Sequence, residues 1–379
     1  MQHEQQVAII NRIFAHIEKR TTDMSLAIGL NPVEEYFSPA WQASEQRYLF
    51  HDRAQLLGLR GLLRDAGDHL VDDLGGASLL LVRTPGGPIH GFHNVCRHRG
   101  AALVQHGGQC ARSFTCPYHG WSYDLDGVPI TLKDLHYPQL PPVERQLTAV
   151  GVSETHGLIW VHPHAGAAIP IELHGLEQEL EAYRLQDFFH YKTRRLQRRM
   201  NWKMVIDTFL ESAHFPFLHR ESIASLFIPS LGIFDAFGDH CRMIYPRKTI
   251  NTLRGTDECG WDLLRHSIII YVLFPNTLLI WQLDHVEVWR TYPDPSGDPA
   301  QCVAEVSMYI PQPADSDKAR AHWDANMRIL IRTVEEEDFP IVEAVQRGLR
   351  SGAQSHLTFG CHEPGLIHFH ARLQQAMVD

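Results

Sequence analysis

The sequence predicts an α+β protein: a small all-β domain followed by a larger domain that combines an antiparallel sheet with helices. Three observations predict it. Between about residues 44 and 165, short apolar runs such as SLLLVRT, PIHGFHNV and GLIWVHP alternate with turns containing glycine or proline, a pattern of short strands. Further on, HVEVWRTY and CVAEVSMYI alternate apolar and polar residues, as half-buried antiparallel strands do. Helical periodicity brackets those strands, in MVIDTFLESAHF before them and in residues 315–351 after them.

The elements follow in order. Val7, Ile10, Phe14 and Ile17 recur at helical spacing, which predicts an amphipathic helix over 4–20. It belongs to an N-terminal segment, residues 1–43, expected to pack on the larger domain. Residues 44–165 make the all-β domain and residues 166–379 the larger one. A charged stretch, YKTRRLQRRMNWK (191–203), leads into the first helix of the latter. The longest apolar run, SIIIYVLFPNTLLIW (267–281), is broken by Pro275 and Asn276, which fits two strands and not a membrane span. Pro340 interrupts the late helical pattern.

Composition narrows the function classes. A chain of 379 residues, 44% hydrophobic and 21% charged, is an ordinary globular mixture with ample material for a core. A net charge of −10 argues against nucleic acid or an anionic membrane as partner. The start, MQHEQQVAIINRIF, is polar and then amphipathic, unlike a secretory signal. Seven scattered cysteines, an odd number, do not read as a disulfide framework, so a reducing cytoplasm is the expected location. The 25 histidines are the unusual feature and direct attention to metals.

Two half-motifs carry the first centre: Cys96-x-His98, then seventeen residues, then Cys116-x-x-His119. Two thiolates and two imidazoles complete one ligand set. A structural zinc site would accept them, but zinc fingers usually pair cysteines with cysteines and histidines with histidines. Here each half supplies one sulfur and one nitrogen. That suits a [2Fe–2S] cluster whose sulfurs hold one iron and whose nitrogens hold the other. At these residues the sequence resembles the Rieske family, and CRHRG…CPYHGW has the form found in Rieske oxygenases. His93, His106 and Cys110 are then ordinary loop residues, with Cys110 a free thiol open to oxidation.

A cluster alone would make an electron carrier of about a hundred residues, so the remainder must be read for a second centre. In NWKMVIDTFLESAHFPFLHRES (201–222), Asp207, Glu211 and His214 share one helical face, and Pro216 ends the helix so that His219 turns back toward His214. Taken alone, the pair also fits a solvated His219 and a hydrogen-bonded core His214. The late helix tips the balance. At 100° per residue, Met327, Ile331, Val334, Val342, Val345 and Leu349 form one apolar stripe with Asp338 at its centre. An unpaired carboxylate on a buried face must be neutralised by a proton, an ion pair or a metal. Glu336 and Glu337 read as solvated, and Glu335 as the fallback ligand. Two histidines and one carboxylate form the facial triad of non-haem ferrous iron.

NWK, a carboxylate three residues before the first histidine, His-x-x-x-x-His and a late acidic helix followed by VQRGL resemble the Rieske non-haem iron oxygenases across the whole chain. The resemblance implies a Rieske domain and then a catalytic domain of the helix-grip type. It implies that His214, His219 and Asp338 bind the mononuclear iron. Glu211 then corresponds to the acidic bridge to a cluster histidine, in the neighbouring subunit of a homotrimer, and Asp207 to another acidic position near that path. Electrons from NADH or NADPH would arrive through a reductase, with or without a ferredoxin. Two positions depart from the family pattern: Asp207-Thr208 replaces an acid–Asn pair, and Ala213 stands where an aromatic residue usually precedes the first histidine.

The implied reaction inserts oxygen from O2 into a small organic substrate, by mono- or dioxygenation or oxidative demethylation. Phe215, Phe217, Leu226, Phe227, Ile233 and Trp281 are the candidate lining, although each is equally a plain core residue. Together they favour a hydrophobic or aromatic substrate. A quaternary ammonium compound is the alternative, with Trp261, Tyr271 and Trp281 surrounding the cation. Two other classes stay open on sequence: a substrate-free electron carrier and a zinc-stabilised ligand-binding protein.

Overall fold

A computed structural model describes residues 1–109, 111–130, 137–163 and 169–378, so Cys110 lies outside the described residues. The chain divides into two units. Residues Arg47–Glu172 and Leu185–Asp187 form one, and Met1–Gln46, Leu173–Arg184 and Phe188–Asp379 the other.

Short apolar runs give the first unit its sheet. Six antiparallel strands lie in the order Gln55–Leu59, Leu158–His162, Ala149–Thr155, Ile89–His93, Leu79–Arg83 and His69–Asp72. Because successive side chains point to opposite faces, one strand serves two cores. Leu79 and Leu81 pack with Leu57, Ile159 and Val161, while Leu80 and Val82 pack with Phe92, Trp121 and Tyr123. The second cluster also takes in Cys96 and Cys116. A small hairpin, Phe114–Thr115 with Ser122–Tyr123, carries Cys116 in its loop.

The second unit is built on a seven-stranded antiparallel sheet. Its strands lie in the order Phe189–Arg198, Cys302–Ile310, His285–Pro293, Thr277–Gln282, Ser267–Leu273, His240–Pro246 and Ile233–Phe237. Pro275 and Asn276 turn the chain between two of these strands. Among the described residues no helix is long and apolar enough to cross a membrane.

Two helical expectations need correction. The helix that opens the catalytic motif runs only over Trp202–Phe209, so Glu211 and His214 lie beyond its end. Pro216 does not break it; it sits in the first turn of a short helix, Phe215–Leu218, where a missing N–H leaves nothing unpaired. Pro340 likewise begins the helix Phe339–Leu349. The interruption comes earlier, as a π-helical turn over Thr333–Asp338 after the helix Asp317–Arg332. A π turn holds more residues per turn than an α-helix, so a 100° wheel loses phase there. Gln346 is accordingly buried, and Val345, expected in the stripe, is 40% exposed.

The NWK motif fixes the short helix in place. Asn201 caps it, accepting from the Lys203 amide at 3.1 Å, and its own amide group reaches the carbonyls of Tyr36 and Pro299. Trp202 Nε1 donates to Glu45 at 2.8 Å. The Lys203 ammonium, fully buried, pairs with Glu45, donates to the Glu35 carbonyl at 2.7 Å and lies 5.1 Å from the Tyr36 ring centre. Removing one partner of a buried ion pair strands the other, at about 3–5 kcal/mol. Glu45→Ala is therefore expected to lower the thermal unfolding midpoint of the catalytic unit by several degrees, read by circular dichroism; an unchanged midpoint contradicts this anchoring role.

Candidate active site

Two loops carry the Cys–His motif, and they share one backbone design. In each, the amide of the glycine four residues after the cysteine donates to the cysteine carbonyl, at 3.0 Å for both Gly100 and Gly120. In each, the cysteine amide donates to the next carbonyl along, Ala101 at 2.8 Å and Trp121 at 2.7 Å. Both glycines hold φ near +75°, a conformation that a side chain would strain. The loops thus match although the histidine follows at the second position in one and the third in the other.

The result is two buried sulfurs, with the imidazoles of His98 and His119 facing each other, Nδ1 to Nδ1, at 3.1 Å. Trp121 stacks on His98 with ring centres 5.0 Å apart. Burial alone would raise the Cys116 pKa, but the backbone N–H groups of Tyr118 and His119 outweigh it and lower it. Burial, helped by the charges of His98 and Arg99, lowers the His119 pKa and favours the neutral imidazole. The Tyr123 hydroxyl lies 3.5 Å from the Cys96 sulfur, placed to donate to a thiolate. Two buried sulfurs and two facing imidazoles in this arrangement fit a [2Fe–2S] cluster ligated by two Cys and two His.

The turn after Phe209 builds the second centre. Glu211 caps it, accepting from the amides of Ala213 and, at 3.2 Å, His214. Its other oxygen accepts a hydrogen bond from His214 Nδ1. His219 is held the same way: its Nδ1 donates to Glu337 at 2.6 Å, and Ser222 Oγ donates to that same oxygen at 2.6 Å. With both Nδ1 atoms bonded to carboxylates, both Nε2 lone pairs are free for a metal. They approach one atom, Asp338 Oδ1, at 3.0 Å from His219 and 3.7 Å from His214.

Asp338 and His219 are 4% and 2% exposed. Asp338 Oδ1 nevertheless receives no aligned hydrogen bond, an expensive state for a buried carboxylate unless a cation neutralises it. The three donor atoms lie within 4.8 Å of one another, close enough for one ion to satisfy all three. Burial alone would lower the His219 pKa, but the adjacent carboxylates of Asp338 and Glu337 outweigh it and raise it. A proton therefore competes with the metal for this site.

A cavity of about 280 Å³ opens on the triad. Its floor is one face of the sheet, where Tyr245, Ile268, Ile270 and Ile280 line it, and Phe215 and Phe227 flank it. The Phe215 ring centre lies 4.9 Å from that of His214, 5.3 Å from that of Phe227 and 5.8 Å from that of Tyr245. A second cavity of about 290 Å³ also reaches Glu211, His214 and Asp338, and has Asp207 and Glu363 in its wall.

Several sequence expectations are corrected by this geometry. Phe215, Leu226 and Phe227 line the first cavity, but Phe217 is 84% exposed and does not. Trp281 faces away, because its neighbours Ile280 and Gln282 occupy the cavity side of the strand, and it stacks on Tyr183 at 4.9 Å. Tyr271, next to Ile270, faces away for the same reason, with its hydroxyl on Tyr183 and Glu179. Trp261 packs edge-on against Phe14, and Ile233 is buried outside the lining, so the three-residue cation cage is not assembled. Asp207 accepts from Tyr36 at 3.1 Å and from His370 Nε2 at 2.8 Å. Glu335 pairs with Arg198 at 3.6 Å. Glu337, expected in solvent, instead orients His219. Tyr245, Arg247 and Glu287, all lining the cavity, were not singled out from sequence.

The family model for the ring-hydroxylating alpha subunit catalytic domain matches residues 185–379, and that for the Rieske [2Fe-2S] domain matches residues 60–142. The chain belongs to the Rieske-type ring-hydroxylating alpha subunits. It is an oxidoreductase that works with a [2Fe–2S] cluster and a non-haem iron, on a small molecule and O2, with electron-transfer partners. The carrier and zinc-protein readings fall with that assignment.

Among relatives, chloroplastic choline monooxygenase of Spinacia oleracea is 25% identical, aligned over 91% of this chain and 78% of its own. The carnitine monooxygenase oxygenase subunit of Escherichia coli K12 is 25% identical over 92% of this chain and 96% of its own. Among solved structures, a quaternary ammonium Rieske monooxygenase in complex with L-carnitine superimposes with a TM-score of 0.78 at 18% identity, covering 92% and 96% of the two chains. Naphthalene 1,2-dioxygenase from Rhodococcus sp. shares the fold with a TM-score of 0.73 at 16% identity, covering 98% of each.

If Glu337 fixes the His219 tautomer, Glu337→Ala should weaken ferrous iron binding by about 10- to 100-fold while leaving the cluster spectrum unchanged. A ferrous titration of iron-depleted protein measures this, and wild-type affinity in the variant contradicts the role.

Proposed function

We propose that this chain is the terminal oxygenase of a multicomponent system that adds one oxygen atom to a small quaternary ammonium compound. The aromatic wall beside the triad carries this reading. A quaternary ammonium ion has no N–H to donate and spreads its charge over methyl groups, so ring faces suit it better than hydrogen-bond acceptors. Phe215, Phe227 and Tyr245 supply such rings next to His214. Relatives named for choline, glycine betaine and carnitine support the same class. The strip Ile268, Ile270 and Ile280 favours a second reading, an aromatic hydrocarbon lying on the floor.

In this proposal Cys96, His98, Cys116 and His119 hold the cluster, and His214, His219 and Asp338 hold the iron. When bound, the cluster supplies electrons one at a time and ferrous iron supplies an open face for dioxygen beside the substrate. The chain does the rest. Glu211 and Glu337 fix the two imidazoles, the rings hold a methyl group toward the triad, and the apolar floor excludes water. Glu211, already bonded to His214, is the residue that couples the iron site to a cluster in the neighbouring subunit of a homotrimer. Asp207 acts by positioning, through Tyr36 and His370. The electrons come from NAD(P)H through a reductase, with or without a ferredoxin.

A single turnover tests the substrate class without the natural reductase. Protein loaded with both metal centres is reduced, freed of reductant, and mixed with 18O-labelled dioxygen and choline, carnitine or naphthalene. Mass spectrometry is expected to find one labelled oxygen in an ammonium product or its breakdown fragment. Labelled naphthalene product alone would contradict the proposal.

A further inference from the structure

We infer that the substrate carries a carboxylate and that Arg247 anchors it at the end of the cavity remote from the triad. This rests on the quaternary ammonium reading and narrows it to betaine-type zwitterions, in which a trimethylammonium group and a carboxylate share one short chain.

Arg247 follows directly on the strand His240–Pro246 and lines the cavity. Its guanidinium carbon lies 5.1 Å from the centre of the Phe227 ring. One terminal nitrogen donates to Gln282 Oε1 at 3.3 Å, while Nε is buried with no acceptor. Among the described residues no carboxylate pairs with it. Other shielded arginines of this sheet are paired: Arg242 with Glu179 and Asp235, Arg290 with Glu305, and Arg198 with Glu343. Burial also pulls the Arg247 pKa down, with no acid to offset it. A desolvated guanidinium without a counterion, exposed to a cavity, is a site for a planar anion that accepts two parallel hydrogen bonds.

The position of the charge defines the ligand. Ring contacts link Arg247 to the triad stepwise: its guanidinium lies on Phe227, Phe227 is 5.3 Å from Phe215, and Phe215 is 5.6 Å from the His219 ring. A carboxylate on Arg247 therefore leaves the rest of a short chain lying along aromatic faces, with its far end at the triad. That far end meets the ring faces of Phe215 and Tyr245, which suit a trimethylammonium group. One guanidinium matches a singly charged carboxylate better than a dianion. Choline, with a hydroxyl in place of the carboxylate, would leave Arg247 without its counterion.

Binding to the metal-loaded protein under anaerobic conditions tests the assignment, with calorimetry as the readout. Three probes are compared: γ-butyrobetaine, butyltrimethylammonium lacking the carboxylate, and the isostere in which carbon replaces the quaternary nitrogen. Wild type is expected to bind γ-butyrobetaine about tenfold or more tighter than butyltrimethylammonium, as a charge-assisted bidentate bond implies. Arg247→Gln should erase that preference while binding butyltrimethylammonium as wild type does, which also reports an intact pocket. Arg247→Lys should keep part of it. No carboxylate preference in wild type, or an undiminished one in Arg247→Gln, overturns the anchor and leaves the ammonium reading standing. Equal, Arg247-dependent binding of γ-butyrobetaine and its carbon isostere would support the anchor and refute the ammonium reading instead.

Discussion

Asp338 Oδ1 sits buried between two imidazole Nε2 atoms with no aligned donor of its own, and the catalytic unit is organised around that carboxylate. A buried anion of this kind is tolerable only with a cation beside it. Two sources compete to supply one: a proton on the Nε2 of His219, whose pKa the neighbouring carboxylates raise, or a metal ion between the three groups. Two Nε2 atoms and one carboxylate oxygen converge on that point. Glu211 and Glu337 thus orient both imidazoles with Nε2 toward Asp338, the arrangement that a metal ion could bridge.

The scaffold exists to hold those five residues together. The short helix Trp202–Phe209 is fixed at its start by Asn201, Trp202 and Lys203, which tie it to Tyr36 and Glu45. Its end therefore delivers Glu211 and His214 at a set place. From the other side, the π-helical turn Thr333–Asp338 brings Glu337 and Asp338, adjacent in sequence, onto the same histidine. The sheet contributes the cavity floor by alternation, so that Ile268, Ile270 and Ile280 face the metal side while Tyr271 and Trp281 face the opposite core.

What was legible in the sequence follows from this construction. The paired Cys–His loops could be read because their determinants are local: each cysteine, its histidine and its glycine fall within five residues. The burial of Asp338 could be read because an acid in an apolar stripe is conspicuous even on an imperfect wheel. Glu337 could not, because the π turn shifts the phase where the wheel was applied. The same shift exposes Val345 and buries Gln346. Phe217 and Trp281 were misplaced because hydrophobicity alone does not say which face of a short helix or strand meets a cavity. Tyr245 lies on, and Arg247 just beyond, a strand His240–Pro246 whose register is set by Ser267–Leu273, so no local pattern marks them. The family chemistry is therefore legible in motifs, while substrate choice depends on positions that only the assembled sheet defines.

The most direct test of the central claim counts iron and acid-labile sulfide per chain, with an EPR spectrum after reduction, in wild type and in Asp338→Ala purified without oxygen. Wild type should hold about three irons and two sulfides, the sum of a [2Fe–2S] cluster and one mononuclear iron. The variant should retain about two irons and two sulfides, with the Rieske signal intact and no turnover. Retention of the third iron, or loss of the cluster together with it, would contradict the assignment of Asp338 as the carboxylate that holds the catalytic metal.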